Sequence, residues 1–376
     1  MGRSKIIRLL AKIKVEKKLK SKHKKKAYSA EQKTRRNTRT AALALWALGS
    51  LCLLVLLGQL ITLLTRFYNP LTPSMTDGSA LRWDGKSSFS VAVKVDTLAV
   101  VNYDPVNRKL TVLKIPDETF LSLPKGYGGW PARSIFDLGQ AEHPAIGSKL
   151  VRSTLSNLLG IPVEGFILIP PTKGTSSLEQ VLAKIHHGPL GLLLSLNKIQ
   201  SDRTGAELVR LVQGIEAIRE DNTKIIDLAD SSITESKLLA DSTRVLGVNT
   251  IKLDLYIREN FKDSNFVNFD GGIAIFNATN HPGLAQDLAR VITNMGGNVI
   301  SLSNTSSNID TSLVLASPDF DPINMTYQRL AALFAPTCLK STCESSDPRV
   351  LSSRAQINIV LGEDYYLKKN DRNYPF

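Results

Sequence analysis

Asp96, Asp117 and Glu118 are the acids best placed to do chemistry together. The runs Leu98 to Tyr103 and Leu110 to Ile115 are predicted to pair as a hairpin through the Asp104 to Lys109 loop, which brings Asp96 and the Asp117-Glu118 pair towards one end. Oxygen-rich acidic clusters suit Mg²⁺ or Ca²⁺, so the three read either as a cation site or as solvated loop acids. Arg133, within Trp130-Pro131-Ala132-Arg133-Ser134, reads as an anion contact or as an ordinary arginine at the start of a helix. The candidates for catalysis are therefore Asp96, Glu118 and Arg133. His186-His187 precede Gly188-Pro189 and read as a turn; adjacent histidines point in different directions, which disfavours joint metal ligation. Cys338 and Cys343 stand in the polar run CLKSTC, where they would close a small disulfide ring in an oxidising compartment or remain two thiols. Zinc would need more ligands than these. Gly126-Tyr127-Gly128-Gly129-Trp130 lacks the lysine of a phosphate-binding loop and reads as a turn packed by its own aromatics or as a surface that stacks on a sugar. No nucleophile elbow, Walker loop or zinc-protease helix is present.

The strongest element in the chain is Ala41 to Leu64, twenty-four residues without a charge. At about 1.5 Å per residue it is long enough to cross a hydrocarbon core of about 30 Å. A core helix of this length would be apolar on every face, and a cleavable signal would have a shorter apolar region. Residues 1–40 carry sixteen of the 47 Lys and Arg and two of the 34 acids, leaving 31 bases against 32 acids in the rest. Basic flanks stay cytoplasmic, so the expectation is a single-pass anchor in the cell membrane with its N-terminus inside and residues 65–376 outside. The tail reads as a basic amphipathic helix on anionic lipid or as a self-repelling topogenic segment. A nucleic-acid partner is not expected, because only Tyr28 interrupts the basic residues as an aromatic.

A linker is expected over 65–85, followed by a mixed α and β domain over 86–230. Its predicted elements are the strands 89–93, 98–103, 110–115, 163–169 and 224–228 and the helices 147–159 and 205–219. Thr204 and Glu207 form a capping box at the start of the second helix. Residues 231–269 read as a linker with some structure. The last domain, 270–376, has predicted elements in the order β-α-β-β-α-β, which points to a ferredoxin-like sandwich.

Several runs resemble the LytR-CpsA-Psr family: Lys94-Val95-Asp96-Thr97-Leu98, Asn102-Tyr103-Asp104-Pro105, Leu110 to Thr119, and Leu158-Leu159-Gly160-Ile161-Pro162-Val163 with Phe166. Ile275-Phe276-Asn277-Ala278-Thr279, Gly283-Leu284-Ala285 and Ile359-Val360-Leu361-Gly362 are similar to the LytR C-terminal domain. The resemblance implies exported enzymes that move polyprenyl-pyrophosphate-linked glycopolymers onto the bacterial cell wall with Mg²⁺, and it places Asp96 at the family's metal-holding aspartate. This sequence departs from the pattern where phosphate is gripped. Lys94 replaces an arginine and loses its bidentate fork. Asp117 stands where the signature has a phosphate-binding arginine, exchanging attraction for repulsion, a swing on the order of several kcal/mol at a partly exposed site. Between Ile169 and Gly205 the cations are Lys173, Lys184, Lys198 and Arg203, with no Arg-x-Arg pair.

The expectation is thus α/β exported domains on one membrane helix, acting in cell-wall biogenesis as a non-catalytic binding or scaffold protein, a pseudoenzyme without cofactor. Its partners would be the membrane and cell-wall glycan or envelope proteins. The alternative is a Mg²⁺-dependent phosphotransferase.

Overall fold

A computed structural model describes residues 45–62, 64–65, 67–75, 82–172, 176–187, 198–229, 232–239, 242–317, 324–334 and 345–370. The basic tail, Lys173, and the Cys338 and Cys343 pair lie outside them. Helix α1 (Leu45–Thr62) is long and apolar enough to cross a membrane by length and composition, and none of it is buried in the protein. Residues 66–376 form a compact unit of their own.

Within that unit the chain first lays down β1 (Phe89–Lys94), β2 (Leu98–Asp104) and β3 (Lys109–Ile115). The hairpin β4 (Phe120–Leu123) and β5 (Gly128–Pro131) follows, then α2 (Ile135–Glu142), α3 (Pro144–Leu159) and β6 (Gly165–Leu168). After these come α4 (Leu178–His187), β7 (Gln200–Ser201), α5 (Gly205–Glu216) and β8 (Thr223–Asp227). Six of the strands join in the order β7-β6-β1-β2-β3-β8. The sheet is mixed: β1 pairs antiparallel with β2 and parallel with β6, and β3 pairs parallel with β8. Because side chains alternate along a strand, the sheet has two apolar faces. Ala92, Val100, Leu113 and Phe166 face α2 and α3. Val91, Val93, Val101 and Ile167 face α4 and α5, whose stripes Leu178, Val181, Leu182, Ile185 and Leu208, Leu211, Val212, Ile215 repeat at helical spacing. The result is a three-layer α/β/α arrangement.

The chain then adds the hairpin β9 (Thr234–Leu238) and β10 (Arg244–Val248), α6 (Thr250–Asn260) and α7 (Ser264–Val267). These occupy the stretch read as a linker. The last part holds β11 (Ile273–Asn277), α8 (Leu284–Asn294), β12 (Val299–Asn304), β13 (Leu313–Ala316), α9 (Met325–Phe334), α10 (Pro348–Leu351), β14 (Ile357–Leu361) and α11 (Glu363–Asn370). Element order matches the β-α-β-β-α-β reading, but the sheet does not have the ferredoxin-like strand order. It runs β12-β11-β14-β13, with β11 parallel to both neighbours and β13 antiparallel to β14. A ferredoxin-like sheet would place a third strand between the two joined by the first helix. Here Gly296, at φ +98°, and Gly297 return the chain so tightly that the Ile273 N–H donates to the Asn298 carbonyl at 2.9 Å. That contact sets β12 directly beside β11 and closes the gap.

One continuous core joins the two sheets, from Ala92, Leu113 and Leu155 through Leu253 and Phe266 to Leu288, Leu330 and Ile359. Polar contacts lock the same seam. Gly160 ends α3 in the left-handed region at φ 59°, and a Cβ there would stand 2.6 Å from the Asn294 amide nitrogen. Arg290 and Asn294 of α8 donate to the last carbonyls of α3, Asn157 at 2.7 Å, Leu158 at 2.8 Å and Leu159 at 3.0 Å. A second domain element thus caps the helix of the first.

Candidate functional site

The strand pairing decides which candidates can meet. Lys94 ends β1 opposite Leu98, and Leu98 is opposite Ile115, so the turns 95–97 and 116–119 emerge at one end of the six-stranded sheet. The Val95 N–H donates to the Thr97 carbonyl at 3.3 Å and the Thr119 N–H to the Pro116 carbonyl at 2.9 Å, which closes both turns. The hairpin β4–β5 then carries the chain back, and the Arg133 N–H donates to the Asp117 carbonyl at 3.3 Å. Lys94, Asp117, Glu118 and Arg133 therefore share this end of the sheet.

Each cation here already has a protein partner. The Lys94 amine donates to the Arg133 carbonyl at 3.3 Å and lies 5.6 Å from the centre of the Phe136 ring. The Arg133 guanidinium stands 3.5 Å from a Glu118 carboxylate oxygen, with both side chains largely exposed. Such a surface pair contributes little to stability, about 1 kcal/mol at most, but it sets the local charge balance. Lys114, one residue before the end of β3, meets Glu179 of α4 at 2.9 Å and Asp227 of β8 at 3.6 Å. The hydrogen bond to Glu179 is the main cause that holds the Lys114 amine above its usual range, and it draws the Glu179 carboxyl below its own. Sequence reading passed over Lys114, because its partners lie 65 and 113 residues further along the chain.

The acidic triad does not form a shared cation site: among the described residues no three His, Cys, Asp or Glu side chains stand close enough to hold a metal ion. The physical reason is that Asp96 and the Asp117-Glu118 pair belong to separate turns, and Glu118 turns to Arg133. Asp96 is exposed and no other protein group engages its side chain among the described residues. His186 and His187 form the last turn of α4 instead of standing in a loop.

Behind this polar end lies an apolar cavity of about 60 Å³. It is walled by Val91, Val93, Val101 and Ile167 of the sheet and by Leu182 and Leu211 of α4 and α5, and no polar atom lines it. Ile169, at its rim, donates its N–H to the Lys94 carbonyl at 2.9 Å. The glycine-rich hairpin stands beside the site: Gly129 lets the Phe120 ring lie against the strand, where a Cβ would come within 2.3 Å of it. Trp130 is 40% exposed, and its indole N–H donates to the Tyr127 carbonyl at 2.9 Å.

Comparison with known proteins gives a family for the last part. Residues 272–365 match the model of the LytR cell envelope-related transcriptional attenuator. Among curated proteins, the regulatory protein MsrR of Staphylococcus aureus strain Mu50 is 27% identical over 115 residues, 31% of this chain and 31% of that protein. MsrR of strain COL is 26% identical over the same length. The chain thus covers about a third of the length of these relatives. Among solved structures, Bacillus subtilis TagT matches with TM-score 0.34 at 14% identity, over 51% of this chain and 97% of that one. TagV of the same organism matches with TM-score 0.37 at 12% identity, over 48% of this chain and 98% of that one. The LytR-CPS2A-psr family protein YwtF (TagT) with bound octaprenyl pyrophosphate lipid matches with TM-score 0.34 at 13% identity, over 50% of this chain and 96% of that one. Residues 272–365 thus match the LytR C-terminal domain, and the chain resembles the LytR-CpsA-Psr proteins.

Proposed function

We propose that this is a membrane-anchored cell-envelope protein whose exported part binds glycan or a partner protein without carrying out phosphotransfer. The supporting observation is the pairing of charged groups at the strand end. Lys94, Lys114 and Arg133 each answer a carbonyl or carboxylate of the protein, and Asp96, Asp117 and Glu118 add three negative charges around them. A pyrophosphate would have to displace these partners and approach Asp96 and Asp117, which no cation pairs among the described residues. The basic tail, on this reading, sits at anionic lipid on the cytoplasmic side and α1 carries the rest of the chain across.

The alternative, a Mg²⁺-dependent transferase of polyprenyl-pyrophosphate-linked glycopolymers, is favoured by the wholly apolar cavity between the sheet and α4 and α5. Its volume, about 60 Å³, is well below the roughly 300–1,000 Å³ of ordinary ligand pockets. The deciding experiment incubates the full chain in nanodiscs with a polyprenyl-pyrophosphate-linked sugar and Mg²⁺. Cleavage no greater than that of Asp96→Ala is expected; turnover that Asp96→Ala abolishes would replace the binding reading with the enzymatic one.

A further inference from the structure

The order β12-β11-β14 makes β11 a topological switch point, because the chain leaves it towards a parallel neighbour on one side and later returns to a parallel neighbour on the other. In open parallel sheets the crevice outside the carboxyl ends of such strands is where ligands bind. On the β12 side of this point lies a crevice of about 630 Å³, bounded by the carboxyl ends of β11 and β12 and the loop into α8. This is ten times the apolar cavity and within the range of small-ligand sites.

Its lining specifies the class of ligand. The polar side chains are Asn277, Thr279, Asn280, His281, Gln286, Ser303 and Asn304, and no Asp, Glu, Lys or Arg is among the lining residues. Asn277 serves the wall: its amide donates to the His281 carbonyl at 2.8 Å and its oxygen accepts from the Thr279 hydroxyl at 2.8 Å. The amides of Asn280, Gln286 and Asn304 are exposed, and no protein group engages them among the described residues. An amide offers two donors and a two-lone-pair acceptor on one rigid plane. Three of them around a concave surface match groups that both donate and accept, which is what sugar hydroxyls do. An anionic ligand would call for arginine or lysine, and none lines the crevice. Leu302 supplies an apolar wall for the C–H face of a ring. The flank is held by His281, which stacks on Tyr366 with ring centres 3.3 Å apart and contacts Glu363 at 2.9 Å.

We propose that the crevice at the carboxyl ends of β11 and β12 is a binding site for a neutral saccharide, held by the amides of Asn280, Gln286 and Asn304. The assignment rests on the glycan-binding reading for its context and places the glycan in the C-terminal domain, away from the Lys94 end of the other sheet.

The test is equilibrium binding by the full chain in nanodiscs. The probes are soluble chitotetraose, cellotetraose and maltotetraose as neutral ligands, with trigalacturonate and inorganic pyrophosphate as charged ones. At least one neutral probe is expected to bind, and Asn280→Ala with Gln286→Ala to weaken it at least about tenfold, the loss expected of two hydrogen bonds to a neutral ligand. Both positions are exposed, so the double variant should keep the parent thermal transition. Leu302→Arg, which puts bulk and charge into the crevice from an exposed edge, is expected to weaken the same probe. Absence of binding by every neutral probe, binding unchanged in both variants, or tighter binding of a charged probe would each overturn the assignment. The strand-end experiment reads cleavage and this one reads binding, so failure of one is distinguishable from failure of the other.

Discussion

Glu207 shows how one buried carboxylate stabilises an element, and it gives a test by pH. Its carboxylate accepts from the Thr204 N–H at 2.9 Å and the Thr204 hydroxyl at 2.8 Å, closing the capping box, and from the Trp83 N–H at 2.8 Å. Burial works against the charge, yet these donors and Arg203 outweigh it and hold the carboxyl below its ordinary value of 4.5. A depressed folded-state pKa contributes stability that is present above about pH 4.5 and lost as pH falls through the folded value. Glu207→Gln keeps the shape but removes the charge. It should lower stability at neutral pH by about 1–3 kcal/mol and flatten the loss of stability below about pH 4.5. Urea midpoints measured between pH 3 and 7 check this, and parallel curves for the two proteins would refute it. At the strand end, Asp117→Arg replaces a repulsive group by an attractive one. Pyrophosphate affinity should rise about tenfold, or about 1.4 kcal/mol at a partly exposed site, as read by titration calorimetry. No change would mean that Asp117 does not face the anion's approach.

Among elements, the first sheet was legible because β1, β2 and β3 carry apolar residues on both faces and a turn with Pro105 and Asn107 joins β2 to β3. The helix α5 was legible from its capping box and stripe. Other elements were hidden for definite reasons. The stripe of α4, Leu178, Val181, Leu182 and Ile185, has helical spacing, but Pro170-Pro171 before it and Gly188-Pro189 after it read as punctuation. Strand order in the last sheet was not legible, since β-α-β-β-α-β fits a crossover to the adjacent strand as well as one that skips a place. The candidate site was legible as far as the turns of Asp96 and of Asp117-Glu118 emerging at one end of the sheet. The place of Arg133 beside them was not, because it depends on where the β4–β5 hairpin returns the chain. The saccharide crevice escaped because amides at 280, 286 and 304 form no spacing motif. The capping of α3 by α8 gives a prediction at this scale. Gly160→Ala forces a side chain into the left-handed region, costing about 1–2 kcal/mol. It also pushes against Asn294 and Arg290, whose nearest atoms would stand 2.6 Å and 3.0 Å from the new Cβ. The thermal midpoint should fall, and hydrogen exchange should quicken in the last turn of α3 and in α8 together. Quickening in α3 alone would show that the two helices are not coupled.

At the scale of the molecule, the matched domain at 272–365 is not closed on itself. Arg329 of α9 holds Glu164 through both terminal nitrogens, donates to the Ser88 carbonyl at 3.0 Å and reaches Asp263 at 3.4 Å. Burial opposes its charge, but Glu164 and Asp263 prevail and raise its pKa above the ordinary arginine value, so it stays charged. Removing one partner of such a buried set leaves the others without compensation, a loss of about 3–5 kcal/mol. Arg329→Met keeps the stem and removes the charge, leaving two carboxylates buried at the seam. Since one apolar core crosses the same seam, the two sheets should unfold as a unit. Residues 66–376 are expected to show a single calorimetric transition that Arg329→Met moves to lower temperature without splitting. If the variant instead separates the transition into two, the C-terminal domain folds independently, and Arg329 serves docking alone.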